Sequence, residues 1–223
     1  HIADVSHYVV SQKAIDREAY KRGTSVYLVD RVIPMLPEVL SNGICSLNAG
    51  EDRYAMTCMM EIDTNGKVVN YRIQPSIIHV NRRCSYKEIY KALTEDIIPD
   101  DLAPLMPMIH NLSDIAKTLN DMRRRRGALD FDFPEYKVLL DTEGTPLRIV
   151  RRDRTLAERL IEECMLIANE TVATHLKNTN RTSVYRIHET PSEEKMSMYQ
   201  KVLNYLGQDI RLHLDELEPR VFQ

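Results

Sequence analysis

The chain has 223 residues, of which 43% are hydrophobic and 28% charged, the balance typical of a globular protein. Its net charge of −3 argues against a protein that coats nucleic acid through overall positive charge, although a channel could still be locally basic. No apolar run reaches the ~20 residues that span a bilayer, so we expect no membrane partner.

The first part of the chain predicts a strand followed by an irregular loop. Residues 1–10 alternate loosely between apolar and polar side chains, which favours a strand. Between residues 26 and 40, Pro34 and Pro37 exclude a regular helix and the pairing of a central strand. We therefore expect an ordered, winding loop, a kind of segment that often carries function.

Two β-hairpins are predicted. Residues 54–62 and 67–77 are strand-like, and residues 64–66 (Thr-Asn-Gly) lie between them. Asn-Gly supplies the positive φ angles that a tight hairpin turn requires. A second hairpin is expected over residues 136–151, with its turn at residues 143–144 (Glu-Gly).

Four segments predict helices, and three of them begin with the Ser/Thr-x-x-Glu pattern, in which two side chains cap backbone N–H groups. These pairs are Ser85 with Glu88, Thr155 with Glu158, and Thr190 with Glu193. The helix from Thr155 to about Lys177 should be the longest. The remaining helix, about Leu112 to Arg126, ends with four arginines followed by Gly127.

Together these elements predict an α+β fold, with antiparallel β-hairpins in the N-terminal part and helices concentrated in the C-terminal part. The four cysteines are scattered and form no Cys-x-x-Cys pair, which argues against a disulfide framework or structural zinc. We expect free thiols in a reducing compartment, and hence a cytoplasmic protein.

Five stretches resemble the ribonuclease II/ribonuclease R (RNB) family in composition, order and spacing. They are HIADVSHYV (1–9), RGTSVYL (22–28), VIPMLPEVLSNGICSLN (32–48), RLIEECMLIAN (159–169) and YRIHETPS (185–192). The likeness covers nearly the whole chain and is closer to ribonuclease R in the second stretch. It implies that residues 1–223 are one partial RNB catalytic module, truncated at both ends.

The resemblance implies a 3′-to-5′ exoribonuclease that uses Mg²⁺ to hydrolyse RNA to nucleoside 5′-monophosphates. The family's catalytic aspartate cluster lies before the first stretch, and an essential arginine lies in a later segment that this sequence lacks. We therefore assign no catalytic residue and no metal ligand, and we expect the isolated chain to bind no Mg²⁺ and to be inactive. The alternative is a non-catalytic RNA-binding relative with a degraded aspartate cluster.

The resemblance also implies that the chain contacts the single-stranded 3′ end of RNA. Tyr27 matches a tyrosine that packs against the 3′-terminal nucleotide. Tyr86 and Glu162 match residues that contact the penultimate nucleotides and distinguish RNA from DNA, since both side chains can bond a 2′-hydroxyl. Simpler interpretations remain open: a core aromatic for Tyr27, a helix-terminal aromatic for Tyr86 and a solvated helix residue for Glu162.

Two further considerations concern Glu162 and Phe131. Glu162 follows Ile161 on the apolar face of its helix, where an unpaired carboxylate would be costly, and this favours a polar pocket. Phe131 matches an aromatic residue that caps the stack of bases at the inner end of the family's RNA channel. Because residues 131–133 (Phe-Asp-Phe) alternate, we expect one ring to face each way. The reverse assignment, which differs by one register step, places Phe131 in the core and Phe133 in the channel.

Two basic groups and one acidic residue complete the predictions. Residues 123–126 (four arginines) are expected to form a solvated helix end, because successive side chains point in different directions around a helix. Arg151, Arg152 and Arg154 lie between a hairpin and the longest helix, where they are candidates for phosphate contacts. Asp4 is expected to accept structural hydrogen bonds and not to bind metal. The oligomeric state stays open.

Overall fold

The computed structural model describes residues 1–131, 133–187 and 189–208. Its strands are β1 (Ile2–Ala3), β2 (Val26–Tyr27), β3 (Val32–Ile33), β4 (Asp52–Ile62), β5 (Val68–His79), β6 (Glu135–Leu140) and β7 (Pro146–Arg152). Its α-helices are α1 (Val5–Tyr8), α2 (Ala14–Arg22), α3 (Tyr86–Thr94), α4 (Met106–Arg125), α5 (Leu156–Asn178) and α6 (Glu193–Tyr205). A π-helical turn (Val39–Ile44) and a 3₁₀ turn (Ala103–Leu105) complete the assignment.

The sheets are antiparallel. The long β4–β5 hairpin is joined by β1, which pairs with β4, while β6 and β7 form a separate ribbon and β2 pairs with β3. The two larger hairpins turn in the same way. Asp63 Oδ1 accepts 2.9 Å hydrogen bonds from the N–H groups of Asn65 and Lys67, and Asp141 Oδ1 accepts equivalent bonds from Glu143 (2.9 Å) and Thr145 (2.8 Å).

The hydrophobic core lies among the helices. Helix α5 contacts α3, α4 and β5, and its buried side chains include Leu160 and Ile167. A second cluster joins the end of α3 to the start of α4, where buried Leu102 and Ile109 pack together. The longest helix is therefore the central element against which the others are placed.

Helices α4 and α5 are also joined by a buried ion pair. The carboxylate of Glu163, which is only 3% exposed, accepts hydrogen bonds at 2.9 Å from Arg123 Nε and Nη2, and one at 2.8 Å from Asn120 Nδ2. Nearby, Arg126 pairs with Glu170 at 2.7 Å. The prediction that the four arginines form a solvated helix end is therefore wrong for Arg123, whose side chain is only 17% exposed because Glu163 of α5 lies opposite it. The other three, Arg124 to Arg126, are exposed as predicted.

The α+β prediction is confirmed, as are both hairpins and the length of α5. The capping boxes at Ser85 and Thr155 are present as predicted. The third is wrong: Ser192 caps α6 by accepting a hydrogen bond from the N–H of Lys195, and the helix begins after Thr190.

The start of the chain also differs from the prediction. The strand predicted for residues 1–10 is only two residues long, and α1 follows it directly. The reason is Asp4, whose Oδ1 accepts hydrogen bonds from Ser6 Oγ (2.6 Å) and from the N–H of His7 (3.3 Å). A side chain that caps in this way favours a helical turn over continued strand pairing. The structural role expected for Asp4 is confirmed.

Candidate functional site

A cavity of about 440 Å³ lies between the β6–β7 hairpin and the first turns of α5. Its lining includes both aromatic and charged side chains. We call it the phenylalanine–arginine cavity. Its lining includes Phe131, Phe133, Arg151, Arg152, Arg154 and Glu162. This combination offers both flat apolar surfaces and cationic groups to a ligand.

The two phenylalanines lie side by side. The ring centroids of Phe131 and Phe133 are 5.4 Å apart and the ring planes differ by 21°, so the rings are stacked, and both are well exposed (63% and 76%). The prediction that one ring faces each way is therefore wrong. Strand β6 begins only at Glu135, so the alternation of a strand does not apply to these residues. Placement of Phe131 in the core is excluded as well.

Glu162 also lines the cavity, with its side chain 39% exposed and paired with an arginine. Arg154 Nε and Nη2 donate to Glu162 Oε2 at 3.0 Å and 2.5 Å, and Arg154 Nη1 donates to Asp130 Oδ1 at 2.8 Å. The hydrogen bond with Arg154 lowers the pKa of Asp130, and the bonds with Asp130 and then Glu162 raise that of Arg154. The expected polar pocket is present, with a protein side chain as the partner of Glu162.

Tyr86 is the first residue of α3, directly after the capping residue Ser85, and it is partly exposed. It lines a second, mostly apolar cavity of about 350 Å³ among α3, α4 and α5. Ile161 lines this second cavity and its chain neighbour Glu162 lines the first. The two cavities therefore adjoin at the same turn of α5.

Tyr27 lies apart from both cavities. It is on the short strand β2, paired with Val32 of β3, and its ring is 77% exposed. The alternative in which Tyr27 is a core aromatic is thus excluded. The structure brings Phe131 and Glu162 together in one cavity and Tyr86 next to them, whereas Tyr27 occupies a separate surface.

Sequence reasoning missed the roles of Glu163 and Arg154. The position of Glu163 could have been deduced, since it is three residues after Leu160 and four before Ile167, both buried on the same face of α5. Nothing in the spacing indicates Arg154 as the partner of two carboxylates, because that contact depends on how residues 130–131 approach α5. Within the described residues, no group of three or more His, Cys, Asp or Glu side chains is placed to hold a metal ion.

The sequence and the fold of the chain match known proteins over nearly its whole length. The family model described as the RNB domain matches residues 1–220. Ribonuclease R 1 of Lactococcus lactis is 42% identical over 100% of this chain and 27% of its own length, and ribonuclease R of Thermotoga maritima is 47% identical over 93% and 29%. Mycoplasma genitalium RNase R in complex with ribose methylated single-stranded RNA superposes with a TM-score of 0.94 at 31% identity, covering 99% of this chain and 34% of that one.

The chain therefore belongs to the RNB family, as the sequence motifs predicted. The two curated relatives named above are ribonucleases R, and the chain spans less than a third of the length of each. The same fold, at 18% identity and a TM-score of 0.70, occurs in yeast Ssd1, described as a pseudonuclease. No helix in the described part of the chain is long and apolar enough to cross a membrane.

Proposed function

We propose that the protein carrying this chain is a metal-dependent 3′-to-5′ exoribonuclease that hydrolyses RNA to nucleoside 5′-monophosphates, and that this chain holds the single-stranded 3′ end. The observation that carries the proposal is the match of residues 1–220 to the RNB domain, with ribonucleases R as relatives. The related Mycoplasma genitalium RNase R, studied in complex with single-stranded and with double-stranded RNA, supports RNA as the partner.

The chemistry of the cavities suits this role. Stacking on an exposed aromatic ring contributes ~1–3 kcal/mol per base and accepts any base, as an enzyme that degrades RNA of any sequence requires. Phe131 and Tyr27 offer such rings. Arg151 and Arg152, on the wall of the phenylalanine–arginine cavity, are candidates for phosphate contacts. Tyr86 and Glu162 have oxygens that can bond a ribose 2′-hydroxyl.

Magnesium is part of the proposal through the resemblance alone. In such enzymes a bound metal activates water and stabilises charge on the phosphate. The described residues do not form a fitting site, so we derive no step of the reaction through a metal on this chain. Its ligands are expected in the aspartate cluster that the family carries before the IADV stretch. The four free cysteines suit a reducing compartment, and we propose a cytoplasmic location.

The second candidate function is RNA binding without cleavage. It is kept because the same fold occurs in a protein described as a pseudonuclease, so the fold alone does not decide for catalysis.

The experiment is to incubate the full-length protein with single-stranded RNA labelled at either end, with Mg²⁺ or with EDTA. We expect the 3′ label to leave first, as a mononucleotide, and the 5′-labelled RNA to shorten progressively, with both reactions abolished by EDTA. Binding without shortening would favour the second candidate, and internal cuts would contradict an exonuclease. The isolated chain 1–223, prepared free of other nucleases, should release no nucleotide, and release by it would contradict the expected position of the aspartate cluster.

A further inference from the structure

The contact between Arg154 and Glu162 has an unusual asymmetry. An arginine and a carboxylate commonly pair through two parallel hydrogen bonds, one to each oxygen. Here Nε and Nη2 both point at Glu162 Oε2, and Nη1 bonds Asp130 instead. Among the described residues, no hydrogen bond reaches the other oxygen, Glu162 Oε1.

Arg154 is well placed to hold this arrangement. It immediately precedes Thr155, the capping residue of α5, whereas Glu162 lies two turns into the helix. Its guanidinium is mostly covered and is bonded to carboxylates on both sides, one of which, Asp130, is the chain neighbour of Phe131. The planar guanidinium therefore fixes the Glu162 carboxylate relative to the residue beside the stacked phenylalanines.

We propose that Arg154 is a positioning residue for RNA preference: it binds one oxygen of Glu162 and leaves Oε1 fixed in place to accept a ribose 2′-hydroxyl. The inference rests on the proposed function, since it presupposes that the cavity receives RNA. It assigns to Arg154 an effect exerted through Glu162 and not a contact with the nucleic acid. A DNA strand lacks the hydroxyl, so Arg154 should matter for RNA and little for DNA.

A direct phosphate contact is the rival role, and Arg152 provides the matched control. It lines the same cavity but is about half exposed, and its nearest carboxylate, that of Glu135, is 3.9 Å away. If an arginine here binds phosphate, its loss weakens RNA and DNA alike and reduces the salt dependence of binding. The two arginines should therefore differ in how they affect the ratio of RNA to DNA affinity.

The test measures dissociation constants of the full-length protein for RNA and DNA of one sequence, in EDTA so that neither is degraded. Arg154→Ala should weaken RNA binding about tenfold, the equivalent of one hydrogen bond to a charged group, and leave DNA binding within about twofold. Arg154→Lys should lose the same preference, because the compact ammonium group lacks the planar fork that directs two N–H groups at Glu162 Oε2 and a third at Asp130. Arg152→Ala should weaken both ligands equally.

A double variant separates positioning from other effects. Glu162→Ala should lower the RNA-to-DNA affinity ratio, and Arg154→Ala combined with Glu162→Ala should lower it no further. Additive losses, equal losses for RNA and DNA, or full RNA preference in Arg154→Lys would overturn the inference. An unchanged ratio in Glu162→Ala would also overturn it. None of these results alters whether the wild-type protein releases mononucleotides, so the proposed function stands or falls separately.

Discussion

At the scale of single residues, two adjacent glutamates show that environment decides the role of a side chain. Glu163 is buried and bonded by Arg123 and Asn120, so its loss would leave a mostly covered arginine without a partner. Glu162, one position earlier, lies at a cavity wall and keeps one oxygen for a ligand. Sequence reasoning placed Glu162 in a polar pocket, and the structure adds Arg154 as its partner there. The contact of Glu162 with a ribose stays a prediction.

Tyr27 gives a prediction at this scale. Its exposed ring suits stacking against the terminal nucleotide, and stacking depends on the ring but not on the hydroxyl. In the full-length protein, Tyr27→Phe should therefore keep most of the kcat/KM for single-stranded RNA. Tyr27→Ala should lower it roughly 5- to 150-fold, the equivalent of ~1–3 kcal/mol for one stacked base. Large and equal losses in both variants would mean that the hydroxyl acts in the reaction.

At the scale of elements, the sequence predicted the turns and helix caps that depend on residues close together in the chain. The positions of the two hairpin turns and of two of the three capping boxes depend on residues close together in the chain, so they can be deduced from the letters alone. The geometry of the first turn differs from the prediction, because Gly66 has a positive φ and Asn65 does not, and Asp63 accepts the hydrogen bonds of the turn.

The beginning of α4 was predicted too late, at about Leu112, and the part that was missed contains Pro107. Proline is tolerated in the first turn of a helix, and α4 accordingly begins at Met106.

The two equivalent turns permit a matched test of tertiary packing. Gly66 and Gly144 have nearly the same φ, 87° and 86°. A Cβ at Gly66 would lie 2.9 Å from Met122 Cβ and 3.1 Å from Thr118 O of α4, whereas Gly144 has nothing within 4 Å. Alanine at either position incurs a similar backbone strain of ~1–2 kcal/mol. At Gly66 it must also displace α4, which adds ~1–3 kcal/mol.

The measurement is the free energy of unfolding of the two alanine variants in denaturant. Gly66→Ala should lower the free energy of unfolding more than Gly144→Ala does, and the difference should equal the cost of displacing α4. In the structure, Arg125 of α4 also donates a hydrogen bond to the carbonyl of Asn65 at the tip of the β4–β5 hairpin. Equal losses of stability in the two variants would show that this tip is not packed on α4 in solution.

At the scale of the whole molecule, the candidate RNA-binding residues come from four separate elements or loops. Helix α5 places Glu162 in the same cavity as Phe131 and next to the cavity that Tyr86 lines. Tyr27 lies on the separate β2–β3 ribbon. The family resemblance supplied these four positions, but their mutual arrangement depends on long-range contacts that no local pattern encodes. Arg154 was missed as a positioning residue for the same reason.

The central claim, which the family resemblance supplies, is that the chain holds the RNA 3′ end in order, with the terminal nucleotide at Tyr27 and the penultimate nucleotides at Tyr86 and Glu162. Photo-crosslinking tests it most directly, using the full-length protein in EDTA and RNAs that carry one 4-thiouridine at successive positions from the 3′ end. We predict that the terminal label crosslinks to the peptide containing Tyr27 and that labels at the penultimate positions crosslink to the peptides containing Tyr86 and Glu162. Attachment of the terminal label at Tyr86 or Glu162, or crosslinks that do not change with label position, would contradict the account.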